Sequence, residues 1–260
     1  MNISVILHYW HNIYKLTGLI VKSQYGHSKL GKIWLLLRPA FQIVIYYLIV
    51  RNVISPNTPN LPLFMLSGFI FWNIIANTLG DVAIIAGRST ILLNKPIRKS
   101  NFIFVFMLQQ MIVLGMLITP VLLIAFYIYG FSGINYLAML CLPVFIALFC
   151  ACLFCMSYIM SLLFIVFQDI NYFNQIAIPL LPWITPIFFP RESMGEGMLH
   201  SIQIINPLYI LIRPFQEIIY YQKVPSLESW FAIILLVIFL AAILFLVRKM
   251  LNKTLVYYFK

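Results

Sequence analysis

Apolar and polar positions follow one another along this chain in long blocks. Six blocks are apolar enough and long enough to matter together: 33–53, 63–86, 102–127, 136–167, 173–189 and 229–247. A bilayer core asks for ~20 mostly apolar residues per helical crossing. The pattern therefore predicts an all-α membrane protein with six transmembrane helices. The fourth block exceeds that length, so it should tilt, bend at Pro143 or project beyond the bilayer. Pro120 predicts a kink in the third. The fifth block contains Pro179, Pro182 and Pro186, which predicts a broken helix. Such breaks persist at membrane depth where protein or water satisfies the freed backbone.

Two shorter patterns flank these blocks. Residues 2–22 place Ile3, Ile6, Leu7, Trp10, Ile13, Tyr14, Ile20 and Val21 at helical spacing, with His8, His11, Asn12 and Lys15 between them. This predicts an amphipathic interface helix lying along the membrane surface. It lacks the continuous apolar run of a cleavable leader. Residues 190–227 hold two apolar stretches of less than spanning length, 194–205 and 207–222, separated at Asn206-Pro207. They read as re-entrant or interfacial helices at the outer mouth. The chain is expected to be a single transmembrane domain over 1–260: interface helix and basic approach over 1–32, spans one to five over 33–189, external gate helices over 190–227, and the last span with its tail over 228–260.

Composition and charge sharpen this picture. The chain is 63% hydrophobic and 9% charged, where a soluble domain carries about 25% charge. The formal net charge of +11 would suggest nucleic acid on a soluble face. Here the cations are concentrated between the apolar blocks. Twelve (Lys15, Lys22, Lys29, Lys32, Arg88, Lys95, Arg98, Lys99, Arg248, Lys249, Lys253, Lys260) fall on one side of a six-span topology. Three (Arg191, Arg213, Lys223) fall on the other, with Arg51 at a boundary. Cations mark the cytoplasmic side, so both termini are expected in the cytoplasm of a multi-pass inner-membrane protein, with basic loops near anionic lipid. No nucleic-acid partner is expected.

Several candidate chemistries fail on inspection. Gly26 to Lys32 spells GxxxxGK, but Ile33 stands where a phosphate-binding loop needs Ser or Thr for magnesium, and an apolar span follows in place of a strand-loop-helix setting. The chain is not expected to hydrolyse ATP. Cys141, Cys150, Cys152 and Cys155 all sit in the fourth apolar block, so neither a disulfide framework nor a metal site is expected, and His8 and His11 lack further ligands nearby. The six carboxylates are scattered, and none lies mid-span where an ion-coupled carrier usually keeps one. No catalytic residues are assigned. What stands out is polar and aromatic. Asn73, Asn77 and Asp81 repeat every four residues on one helix face, either gripping neighbouring helices or lining a passage. Aromatic residues make up 16% of the chain. Gln42, Tyr46, Phe69, Trp72, Asn73, Asn77, Phe173 and Trp183 are the candidate lining of a sugar-conducting channel, since aromatic faces attract partly positive groups. Arg38 is a cation inside an apolar run, costly there without an anion or water.

The stretch SQYGHSKLGKIWLLLRPAFQ resembles the first-span signature of ABC-2 type permeases that export polysaccharides, carried by Leu30, Gly31, Trp34 and Pro39. Four further pieces follow in that family's order: Leu63 to Asn73, Phe167 to Ile170, Thr185 to Pro190, and Asn206-Pro207-Leu208. Gln168 and Lys95-Pro96-Ile97-Arg98 depart from its usual pattern. The resemblance implies a non-enzymatic half-transporter. Two copies would form a channel and pair with two copies of a separate ABC ATPase, which alone would bind ATP and magnesium. The substrate would be a polysaccharide on undecaprenyl diphosphate, O-antigen first, with capsule precursor, teichoic acid or a drug as alternatives. From a different class stands a membrane-bound glycosyltransferase or polymerase, against which the few loop carboxylates speak. The resemblance also implies a coupling helix around 85–94, with Ile85, Arg88, Ile91, Leu92 and Asn94 in the ATPase cleft, and an outer gate over 194–222. Lys22, Lys29, Lys32 and Arg38 sit where the diphosphate headgroup would first be met.

Overall fold

The computed structural model describes residues 31–54, 58–88, 99–167, 169–188, 190 and 206–258; at 32, 35, 36, 53, 54, 81–88, 99–102, 165, 166 and 251–258 only the backbone is described. Every element among these residues is helical. A 3-10 turn, Gly31–Ile33, leads into α1, Trp34–Ile49, which passes into a π turn at Val50–Ile54. Then come α2, Leu61–Arg88; α3, Lys99–Gly133; α4, Tyr136–Val166; α5, Ile170–Ile184; α6, Pro207–Ile219; and α7, Leu227–Tyr258.

Local chemistry sets most of these boundaries. Asn60 takes a left-handed φ of 47° and offers its carbonyl to the amides of Leu63 and Phe64, starting α2. Gly130, at φ 65°, ends the straight course of α3 in a conformation that side chains disfavour. The Asn135 side chain caps α4 by accepting from the Ala138 amide at 3.2 Å. Asn206 does the same for α6 at the Leu208 amide, with Pro207 at the first helical position, where its missing N–H costs nothing. Pro186 forces Thr185 into extended backbone (φ −95°, ψ 136°) and closes α5.

Helix α2 is the hub. It packs against α1, α3, α4, α5 and α6, and α7 lies outside against α4 and α6. The apolar stretch of α2 is 67% buried and that of α7 only 11%, so α2 is the core and α7 the rim. At the centre Phe71 of α2 stacks on Phe215 of α6, centroids 3.5 Å apart, while Phe149 of α4 meets both edge-on at 5.5 Å. The outer face of α7 exposes Phe231, Leu235, Ile238, Phe239, Phe245 and Leu246. Hydrocarbon chains, not water, solvate such a face.

Among the described residues four helices are long and apolar enough to cross a membrane: Leu61–Gly80, Ile103–Gly133, Tyr136–Phe164 and Leu227–Met250. The first and fifth expected spans appear as shorter helices, the 16-residue α1 and the 15-residue α5. The fifth also differs in form. α5 starts at Ile170, runs through Pro179 and Pro182 without ending, and stops before Pro186. α7 extends past both limits read from the hydropathy, carrying Arg248 and Lys249 within the helix. The expected interface helix, the loop 89–98 and the stretch 194–205 lie outside the described residues.

Candidate functional site: a groove between three helices

A groove of about 360 Å³ runs between α1, α2 and α5. Helix α1 contributes Arg38, Gln42 and Tyr46, spaced four apart and so on one face. Helix α2 contributes Phe69, Trp72, Asn73, Ala76, Asn77 and Gly80. Helix α5 contributes Asn171, Asn174, Gln175, Ile178, Pro179 and Pro182.

The groove has two different ends. Tyr46 meets Phe69 edge-on at 5.6 Å, which sets the register of α1 against α2. From that contact, eight residues back along α1 reaches Arg38 and eight forward along α2 reaches Asn77, a rise of roughly 12 Å in each. One end is therefore aromatic, and the other holds a guanidinium among carboxamides. At the polar end Asn77 Nδ2 donates to Asn73 Oδ1 at 2.9 Å. Buried Asn174 donates from Nδ2 to the Leu79 carbonyl at 3.4 Å, which holds α5 to α2. The prolines of α5 add acceptors of another kind. Pro179 and Pro182 have no N–H to give to the carbonyls of Gln175 and Ile178, and both of those residues line the groove.

This lining favours a particular chemistry. Carboxamides both donate and accept, so they suit a ligand rich in hydroxyl groups. Ring faces suit the apolar side of such a ligand. Among the described lining residues Arg38 is the one cation and there is no carboxylate; the described part of that end therefore favours an anionic group. Among the described lining residues there is no nucleophile–base pair, and the groups present are those that bind a ligand. Among the described residues no group of His, Cys, Asp and Glu could hold a metal ion, and all four cysteines are free thiols.

The structure brings together Arg38, Gln42, Tyr46, Phe69, Trp72, Asn73 and Asn77 from the sequence-derived candidates. Trp183 stands behind the wall, packed on Tyr46 at 5.9 Å and on Phe188 at 4.9 Å. Phe173 is 68% exposed and takes no part in the wall. Ile85 and Arg88 belong to the last turns of α2, where only the backbone is described. Lys22, Lys29, Ile91, Leu92 and Asn94 lie outside the described residues, as does the Lys32 side chain. The carboxamides of α5 were not among the candidates. Their signal was present: Asn171, Asn174, Gln175, Ile178 and Pro182 follow helical spacing on one face.

No family model matches the chain. Three curated proteins do. An O-antigen export system permease protein RfbA of Myxococcus xanthus is 23% identical over 229 residues, covering 85% of this chain and 87% of its own length. Two proteins of the same name from Klebsiella pneumoniae are each 23% identical, over 204 and 210 residues, covering 78% of both partners.

Proposed function

From this distant kinship with O-antigen export permeases we propose that the chain is the membrane subunit of an ATP-driven exporter of lipid-linked polysaccharide, O-antigen being the first candidate. The observation that carries the reading is the groove: one guanidinium, a bank of carboxamides and an aromatic end among its described lining residues. In this reading α1 and α5 are the first and fifth of six spans, completed by turns and segments beyond their helical cores. Both termini are cytoplasmic, as the cation asymmetry supports. Two copies of the chain face each other across α1 and α5, and two copies of a separate ABC ATPase dock at the loop around 85–94. That partner holds the ATP and magnesium; this chain performs no bond-breaking step.

Its residues bind and guide. Lys22, Lys29, Lys32 and Arg38 attract the diphosphate of an undecaprenyl-linked glycan, Arg38 at the groove's polar end. The sugars then pass the carboxamides of α2 and α5, and their C–H faces slide over Tyr46, Phe69 and Trp72. Stacking tolerates sliding because a ring face offers no single fixed hydrogen-bond geometry.

Two measurements test this reading. In vesicles holding the chain with its ATPase, Arg38→Leu is expected to cut polysaccharide export roughly tenfold, equivalent to ~1.4 kcal/mol. Co-purification of the two subunits should remain intact. Export unchanged by the substitution would count against the headgroup role. In the same vesicles, protease reaching the basic tail after Arg248 only from the cytoplasmic face is the expected topology. Cleavage from the opposite face would sink the six-span arrangement.

A further inference from the structure

A second cavity, about 270 Å³, lies between the start of α2, the chain just after α5 and the connection from α6 to α7. Phe64 lines it, and Asn77 lines the groove; thirteen residues of helix separate them by ~20 Å. Phe69, the groove's first residue on α2, is only five residues or ~7.5 Å from Phe64, so the cavity lies beyond the groove's aromatic end, away from its polar end.

The polar part of this cavity is rigidly built. Arg213 and Glu217, one turn apart on α6, pair through Nε and Oε1 at 2.8 Å. The other carboxylate oxygen of Glu217 accepts from Ser229 Oγ at 2.9 Å, at the start of α7, where helix-dipole charge also favours an anion. Gln216, only 3% exposed, donates from Nε2 to the Pro186 carbonyl at 3.0 Å. The guanidinium spends Nε on Glu217 and carries four further N–H donors. Burial alone would lower the Arg213 pKa, but Tyr209, Glu217 and Glu228 outweigh it and hold the guanidinium more firmly charged than usual. Aromatic walls complete the cavity, with Tyr209 beneath Arg213 at 5.9 Å.

Three ligand classes fit poorly. A metal ion would have a single carboxylate to hold it, beside two cations, Arg213 and Lys223. A free phosphate would face Glu217. An acyl chain would have to desolvate an ion pair. A hydroxyl-rich ring fits: Arg213 and Lys223 donate, Glu217 and Gln216 offer further acceptor lone pairs, and a tyrosine face takes the apolar side of the ring.

We propose that this cavity is a subsite for a single neutral sugar ring, beyond the aromatic end of the groove and built on α6. The proposal rests on reading the chain as a glycan exporter and adds a second point of grip, at the far end of α2 from Arg38. It holds one sugar unit of the passing polymer while the lipid-linked end is still at the groove.

The test uses the full chain in lipid nanodiscs. Saturation-transfer NMR is recorded with the methyl α-glycosides of rhamnose, mannose, galactose and N-acetylglucosamine as probes, and inorganic pyrophosphate as the anionic competitor. At least one glycoside is expected to bind. Tyr209→Ala and Arg213→Met should each weaken it about tenfold. The exposed Lys223→Met, which leaves the packing untouched, should weaken it about threefold, and Phe239→Ala on the outer face of α7 should leave it unchanged. Absence of transfer from all four glycosides, binding that survives the three cavity substitutions, equal loss with Phe239→Ala, or displacement by pyrophosphate would each overturn the subsite. These outcomes are separate from the export assay: loss of export in Arg38→Leu without sugar binding at the cavity removes the subsite and leaves the transport reading standing.

Discussion

At the scale of single residues, Gly68 has the least room for a side chain of the described glycines inside the helices. A Cβ there would come within 2.8 Å of Gln216 Nε2 and within 3.3 Å of Ile212 Cγ2. The absent side chain is what lets α6 lie against α2 and lets Gln216 reach the Pro186 carbonyl. Gly68→Ala should push the amide off that carbonyl and leave a buried donor unsatisfied, at a cost of about 1–3 kcal/mol. Thermal unfolding in detergent should record a lower midpoint, and pairing the change with Gln216→Ser should recover part of it. A midpoint unchanged by Gly68→Ala would mean that the helices give way freely. Residue-scale reading of the sequence did well where a side chain's role follows from its own chemistry. Arg38 stood out as a lone cation in an apolar run, and it does line a groove. Gly68 gave no such sign, because its importance is set by a partner 148 positions away, Gln216.

At the scale of elements, α5 shows where hydropathy misleads. Gln168 to Asn171 reads as a polar turn, which places the start of the fifth block at Phe173, yet the helix begins at Ile170 and Asn171 faces the groove. A hydropathy window cannot distinguish a polar residue in a loop from one turned toward a polar hollow. The prolines mislead in the other direction. Three in one segment suggest a break, but two are absorbed within α5, and only Pro186 ends it, through its effect on Thr185. In contrast, α4 begins at Tyr136, where its apolar block begins, because Asn135 is both a polar boundary and an effective cap. The absorbed prolines carry a prediction. Pro179→Ala and Pro182→Ala restore N–H groups that close the carbonyls of Gln175 and Ile178, and a proline in a helix interior costs ~3 kcal/mol. The double variant should unfold at a higher temperature and export more slowly, since the groove loses two acceptors. Faster or equal export from the stiffer protein would show that those carbonyls serve no transported ligand.

At the scale of the whole molecule, the helices are joined by a few long-range hydrogen bonds set into an apolar body. Tyr129 donates to the Tyr220 carbonyl and Tyr220 to the Pro59 carbonyl, each at 2.6 Å; Gln216 donates to Pro186, and Asn174 to Leu79. In these four the donor is a side chain and the acceptor is main chain, whereas Asn206 to Thr185 and Ser229 to Glu217 join side chain to side chain. Every amino acid carries the same carbonyl, so only half of each of the four fastenings is written in residue identity. Positions 59 and 79 can therefore change their own side chains and still receive their partner, provided the backbone keeps its path, whereas Tyr220 is also a donor and Pro186 also ends α5. A scaffold tied in this manner can hold its shape while most of its letters change, leaving the hollows free to be re-lined for a different cargo.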